Sequence, residues 1–278
     1  MGKNKTRGDE GSSMGLYIII FVMIVGWLIY SSGRQESKPT PAAQQKTAAQ
    51  TPMASQTPAD PPQPPGPRTW PPSSNAKVEM ARNPTASNYL IIFDASGSMS
   101  DRECSGAMSK IEVAKKAVKS FVGSLDENAN VGLVAFGATP TGQFFEQDFV
   151  NANKDLIGQA LDRVESGGRT PLQGAMARGY RMLETQARRQ GGYGQYHMVI
   201  ITDGISTDGD PGDTTIGIVS GSAIQVHAIG FCLEGAHSLD RRGYTRYSTA
   251  NDPAALAAGL AGVLAETEQF DAGAFVSQ

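Results

Sequence analysis

From Tyr89 onward the chain alternates short apolar runs with stretches whose apolar residues recur every three or four positions. Residues 90–93 read Leu-Ile-Ile-Phe, too apolar for a strand with one wet face. Such strands belong to parallel sheets covered on both sides by helices. Ile111, Ala114, Val118, Phe121, Val122 and Leu125 then recur at helical spacing, with Lys115, Lys116 and Lys119 on the other faces. Further strands are predicted over 130–136, 144–150, 198–202, 224–231 and 244–248, the 144–150 strand at a sheet edge. Helices are predicted over 154–164, 172–189 and 253–268. The 172–189 helix offers Ala175, Ala177, Tyr180, Met182 and Leu183 for packing, and the last helix opens on Pro253 with Asp252 as its N-cap. Strands alternating with helices predict an α/β domain with a doubly wound, mostly parallel sheet flanked by helices over residues 87–270.

The first 86 residues follow a different pattern. Gly11 to Gly33 carries no charge, and residues 14–30 are nearly continuous apolar sequence. That is long enough for a transmembrane signal-anchor helix, with Tyr17, Trp27 and Tyr30 at interfacial positions. It follows a short tail, residues 1–13. Lys3, Lys5 and Arg7 precede the run, against Arg34 and Lys38 after it, so the N-terminus is expected in the cytoplasm and the folded domain outside it. A cleaved signal peptide, with small residues at Ser31-Ser32-Gly33, is the alternative, and it also delivers the domain outside. Twelve of the sixteen prolines lie at or before Pro84. Residues 31–86 are therefore expected to be a disordered Pro/Ala/Gln-rich linker, unable to bury enough apolar surface to fold. Residues 271–278 form a C-terminal tail.

Charge divides the chain in the same way: residues 1–86 carry 9 basic and 5 acidic residues, and the remainder 15 basic and 22 acidic. A domain with net charge −7 is not expected to bind nucleic acid, which needs a cationic face.

The first strand ends in Asp94-Ala-Ser96-Gly-Ser98. One carboxylate and two hydroxyls at alternating positions suit a hard cation with an oxygen shell. Gly167-Gly168-Arg169-Thr170 and Thr202-Asp203-Gly204 follow in order, at the ends of neighbouring predicted elements. Ligands of such sheets bind beyond the carboxyl ends of the strands. Taken singly, Asp94 and Ser96 fit equally a cap on the following turn. Together, the three segments resemble the metal-ion-dependent adhesion site (MIDAS) of von Willebrand factor type A (VWA) domains. The resemblance covers roughly residues 87–270 and implies a Rossmann-like fold. It implies Ser96 and Ser98 as direct metal ligands, Thr170 as a conditional one, and Asp94 and Asp203 as carboxylates that bind directly or hold waters. It also implies Mg²⁺ as cofactor, with Mn²⁺ or Ca²⁺ as alternatives, and a protein partner whose Asp or Glu carboxylate completes the cation's shell. Related adhesion domains couple this site to movement of the final helix. In this chain Gly259 and Gly262 either weaken that helix or let it pack close to the sheet.

Enzymatic patterns fit less well. A phosphatase that opens with a nucleophilic Asp after an apolar strand needs a second Asp two residues later, where this chain has Ser96. A serine-hydrolase elbow, Gly-x-Ser-x-Gly, is not met at Ser96 or Ser98, neither of which has glycine two residues before it, and no phosphate-binding Gly-x-x-x-x-Gly-Lys loop is present. The expectation is a membrane-anchored, metal-dependent adhesion or scaffold module without catalysis. The alternatives are a regulatory or assembly subunit of a larger membrane complex and, behind it, a metal-dependent phosphohydrolase. Asp208-Gly-Asp210-Pro-Gly-Asp213 lacks the remaining ligands of a calcium loop and reads as a solvated turn. His197, His227 and His237 have no ligand spacing and read as packing or surface residues. Cys104 and Cys232 each follow a predicted strand end; outside the cytoplasm they either pair or stay free and apart.

Overall fold

The structure, a computed structural model, describes residues 69–73, 77–151, 153–233 and 235–268. The expected tail 1–13, membrane helix 14–30, most of the linker 31–86 and the tail 271–278 lie outside the described residues. Among the described residues no helix is long and apolar enough to cross a membrane.

Six strands form one sheet: β1 (Ser87–Ala95), β2 (Asn130–Thr139), β3 (Gly142–Val150), β4 (Gln195–Thr202), β5 (Ile224–Phe231) and β6 (Thr245–Ala250). Their order is β3-β2-β1-β4-β5-β6, antiparallel only at the β2/β3 edge. Side chains alternate across β1. Tyr89, Ile91 and Phe93 face a core shared with α1 (Lys110–Ser124), α2 (Asp155–Asp162) and α5 (Pro253–Glu268), while Leu90 and Ile92 face α3 (Leu172–Arg189) and α4 (Pro211–Gly221). Both faces of β1 are thus covered, which is why its sequence shows no polar alternation.

Helix termini follow their local chemistry. Ser109 N–H donates to Glu112 Oε2 at 2.8 Å to open α1, and Asp252 Oδ1 accepts from Ala255 N at 2.7 Å to open α5. The final helix packs close to the sheet at Gly259, where an added Cβ would stand 3.2 Å from Ile229 Cδ1 and 3.3 Å from Ser248 Oγ. At Gly262 the corresponding space is open.

Two expectations are corrected. The acidic stretch 208–213 is an exposed bend at 208–209 that runs into α4, and its carboxylates do more than face solvent. Asp210 caps that helix by accepting from Gly212 N at 2.8 Å, and Pro211 takes its first turn. Asp208 instead accepts from Gln173 N at 3.0 Å and Gly174 N at 2.8 Å, capping α3. Each of these carboxylates satisfies backbone donors that a helix start leaves orphaned. The end of the expected tether also docks on the domain. Trp70 packs edge-on against Tyr196 at 4.8 Å between centroids, and Ala81 N donates to Arg189 O at 2.8 Å. Partial burial of the Trp70 indole offsets the cost of ordering a few linker residues.

Two polar clusters lie at the amino-terminal end of the sheet. Asn88, fully buried, donates to Gln190 Oε1 at 2.7 Å and accepts from Gln186 Nε2 at 3.1 Å and Asn130 Nδ2 at 2.9 Å, tying α3 to β1. His197 and His227 are buried on neighbouring strands with Nδ1 and Nε2 3.2 Å apart, and Tyr89 stacks on His197 at 4.8 Å.

Candidate metal centre

The candidate residues lie at the opposite, carboxyl end of the strands, where β1 meets β4 and the strand order reverses. Ligands of doubly wound sheets bind at such a point. Asp94 is fully buried near the end of β1. Its Oδ1 accepts from Ser96 N at 2.7 Å and its Oδ2 from Thr202 Oγ1 at 2.6 Å. Burial, partly offset by these two bonds, pushes its carboxyl up to about 6. A carboxylate in this setting gains from any cation placed beside it.

A single turn of 3₁₀ helix, Gly97–Ser100, follows. It sets Ser96 Oγ and Ser98 Oγ 3.2 Å apart, and Ser98 Oγ donates to Asp203 Oδ1 at 2.7 Å. The loop 167–170 docks on this turn by backbone: Gly97 N donates to Gly168 O at 3.2 Å and Gly167 N to Ala95 O at 2.8 Å. Gly168 adopts φ +75°, a conformation that favours glycine. Thr170 closes the group. A Cβ added at Gly204 would stand 3.5 Å from Thr170 Oγ1 and 3.9 Å from Ser98 Oγ, so both hydroxyls border the space beside Gly204. His237 fixes that corner by donating from Nε2 to Gly204 O at 3.1 Å, since its Nδ1 accepts from Leu239 N at 3.1 Å.

Asp94, Ser96, Ser98 and Asp203 are thus joined through hydrogen bonds, and Thr170 borders them. Five side chains offering only oxygen, two of them carboxylates, match a hard divalent cation in donor chemistry. Among the described residues no group of three or more His, Cys, Asp or Glu side chains is placed to hold a metal. This is consistent with a donor set made mostly of hydroxyls.

A family model for the von Willebrand factor type A domain matches residues 89–256. The chain belongs to this family. VWA domains are protein-interaction and adhesion modules, and the expected α/β fold is shown. No match was found among curated proteins. Among solved structures, the PilB minor pilin from Streptococcus sanguinis is 18% identical with a TM-score of 0.51, the match covering 71% of this chain and 64% of that one. A von Willebrand factor type A protein from Catenulispora acidiphila is 22% identical over 66% of this chain and 43% of that one, TM-score 0.49. The proximal thread matrix protein 1 from the mussel byssus, solved with a zinc-occupied MIDAS motif, is 19% identical over 67% and 48%, TM-score 0.49. The chain therefore spans less than two thirds of the length of each of these proteins. At such identities the pilin match shows a shared fold alone.

Three residues of this VWA site lay outside the sequence reading. Thr202 holds the inner oxygen of Asp94. Lys110, the first residue of α1, is 3% exposed and donates from Nζ to Asp203 Oδ2 at 3.0 Å. Glu103 approaches the same ammonium to 3.7 Å from an exposed position. A lysine at a helix start opposes the helix dipole, and that mismatch was the available signal. Cys104 and Cys232 form a disulfide with Cα atoms 5.9 Å apart, tying the loop that carries Glu103 to the end of β5.

Proposed function

We propose that this VWA domain binds a divalent cation, Mg²⁺ in the first instance, with Mn²⁺ or Ca²⁺ as substitutes, and through it a carboxylate of a protein partner. The observation that carries the reading is the convergence of Asp94, Ser96, Ser98, Thr170 and Asp203 at the carboxyl ends of β1 and β4. In this reading Ser96, Ser98 and Thr170 hold the ion without cancelling its charge, and Asp94 and Asp203 anchor it directly or through water. The ion supplies a Lewis-acidic position for the partner's Asp or Glu. The role is binding, not catalysis: both oxygens of Asp94 accept hydrogen bonds from the protein and the carboxyl is buried, which ill suits a nucleophile. The domain is displayed outside the cytoplasm on the apolar segment 14–30. The disulfide supports that placement, because such bonds persist in oxidising compartments.

Millimolar Mg²⁺ or Mn²⁺ is expected to raise the melting temperature of the full chain. An ion at a hundredfold excess over its Kd adds about 2.7 kcal/mol, or roughly 5–10 °C for a domain of this size. Asp94→Ala with Ser96→Ala should abolish that shift. Absence of any shift in the wild type with Mg²⁺, Mn²⁺ and Ca²⁺ overturns the metal-dependent reading. For the location, protease added outside intact cells or spheroplasts should digest the domain while a cytoplasmic control survives; a protected domain refutes it.

A further inference from the structure

Lys110 is a cation already resident beside the carboxylates. Its side chain is 4% exposed and its partner Asp203 is fully buried, with Nζ 3.0 Å from Oδ2. Placing an ammonium at the first position of a helix, and burying it, is unfavourable on both counts. A buried ion pair kept under those conditions is held by the carboxylate it neutralises. The geometry also divides Asp203 between two roles: Oδ2 meets the ammonium, while Oδ1 takes the Ser98 hydroxyl that borders the candidate ligands. Glu103, 80% exposed and 3.7 Å from Nζ, is too hydrated to neutralise Lys110 by itself.

We propose that Lys110 sets the site's affinity for divalent cations. The inference rests on the metal-binding reading above and assigns that site a residue of its own. Without a divalent ion, the ammonium offsets the repulsion between the buried Asp94 and Asp203 carboxylates and keeps the site folded. An entering ion is repelled by the fixed positive charge paired with one of the site's own carboxylates, so affinity is lower than the five oxygens alone would give. Among the buried groups, two carboxylates against a dication and an ammonium then leave an excess of one positive charge, which the hydrated Glu103 carboxylate offsets only in part. That surplus favours an acidic partner, so Lys110 trades affinity for the ion against attraction for the ligand.

The test is direct titration of the purified full chain with Mn²⁺ by calorimetry, for wild type, Lys110→Gln and Lys110→Arg. Removing the unit charge that pairs with Asp203 should tighten binding by at least about tenfold in Lys110→Gln. Lys110→Arg, which retains the charge, should stay within about threefold of wild type. A purely structural lysine predicts the contrary, with weaker or unchanged Mn²⁺ binding in Lys110→Gln and no distinction by charge; either result overturns the inference while leaving wild-type metal binding intact. Should Lys110→Gln fail to fold, Lys110→Met is titrated in its place, with the same tightening expected and unchanged or weaker binding again overturning the inference. If the wild type binds no Mn²⁺ but Lys110→Gln does, the lysine masks the site and the inference stands; if neither binds Mn²⁺ the inference is overturned, and the thermal-shift series with Mg²⁺, Mn²⁺ and Ca²⁺ decides the metal-dependent reading separately.

Discussion

Reducing the Cys104–Cys232 bond is expected to cost the domain about 3–4 kcal/mol, a fall in melting temperature of roughly 10 °C. The bond spans 128 residues of chain. Cross-linking a loop of that order constrains the unfolded ensemble by up to about 4–5 kcal/mol in the chain-entropy account, with measured values commonly lower. Two local features take some of this back. Cys104 has φ +51° and Cys232 φ +58°, both in the left-handed region that non-glycine residues enter at a cost of about 1 kcal/mol each. Reduction is expected to let those residues relax and to free the loop between the 3₁₀ turn and α1, which carries Glu103 towards Lys110. These are the chain's only two cysteines, so a reductant acts on one bond. Urea titration of the full chain with and without reductant measures the loss. A difference below about 1 kcal/mol would show that the loop is held by its other contacts, such as Lys110 N donating to Asp101 O at 2.8 Å.

Acid is expected to weaken the fold through the His197–His227 pair. Burial holds the His197 imidazole down to about 4, helped by the nearby Arg246 charge, and holds His227 down to about 3, helped by His197 and Arg246. In the unfolded chain both take up a proton near 6.5. The unfolded state therefore binds more protons below that pH. The pair's contribution is fully present above about 6.5 and is lost progressively as pH falls toward 4 and then 3. Two units of separation at pH 4.5 amount to roughly 3 kcal/mol for one histidine, and to roughly 3–5 kcal/mol for the coupled pair. Asp94 acts in the opposite sense: its raised folded value, about 6 against 3.8, adds stability on acidification in the metal-free protein. Comparison of wild type with His197→Gln/His227→Gln separates the two, because Asp94 is common to both. The double variant should lose most of the stability difference between pH 7.5 and pH 4.5 measured by urea unfolding. An unchanged difference would assign the acid sensitivity elsewhere.

The apolar strands and the strongly periodic helices were legible in the sequence because each buries a face that its own residues advertise. Residues 172–189 and 224–231 coincide with α3 and β5, and 253–268 with α5. The VWA relationship was equally legible, since Asp94, Ser96, Ser98, Thr170 and Asp203 sit in three short segments that need only a parallel sheet to converge. Helix α4 was not. Its sequence, Pro-Gly-Asp-Thr-Thr-Ile-Gly-Ile-Val-Ser-Gly, has poor helix propensity. It is helical because Asp210 caps it and Ile218 is buried against the sheet. The roles of Asp208, Thr202, Lys110 and the paired cysteines were decided by tertiary structure alone. Each acts on a group far along the chain, Lys110 on Asp203 across 93 residues and Thr202 on Asp94 across 108. Local pattern encodes which face of an element is buried; it carries no record of which buried charge meets which, and that pairing is what gives this site its electrostatics.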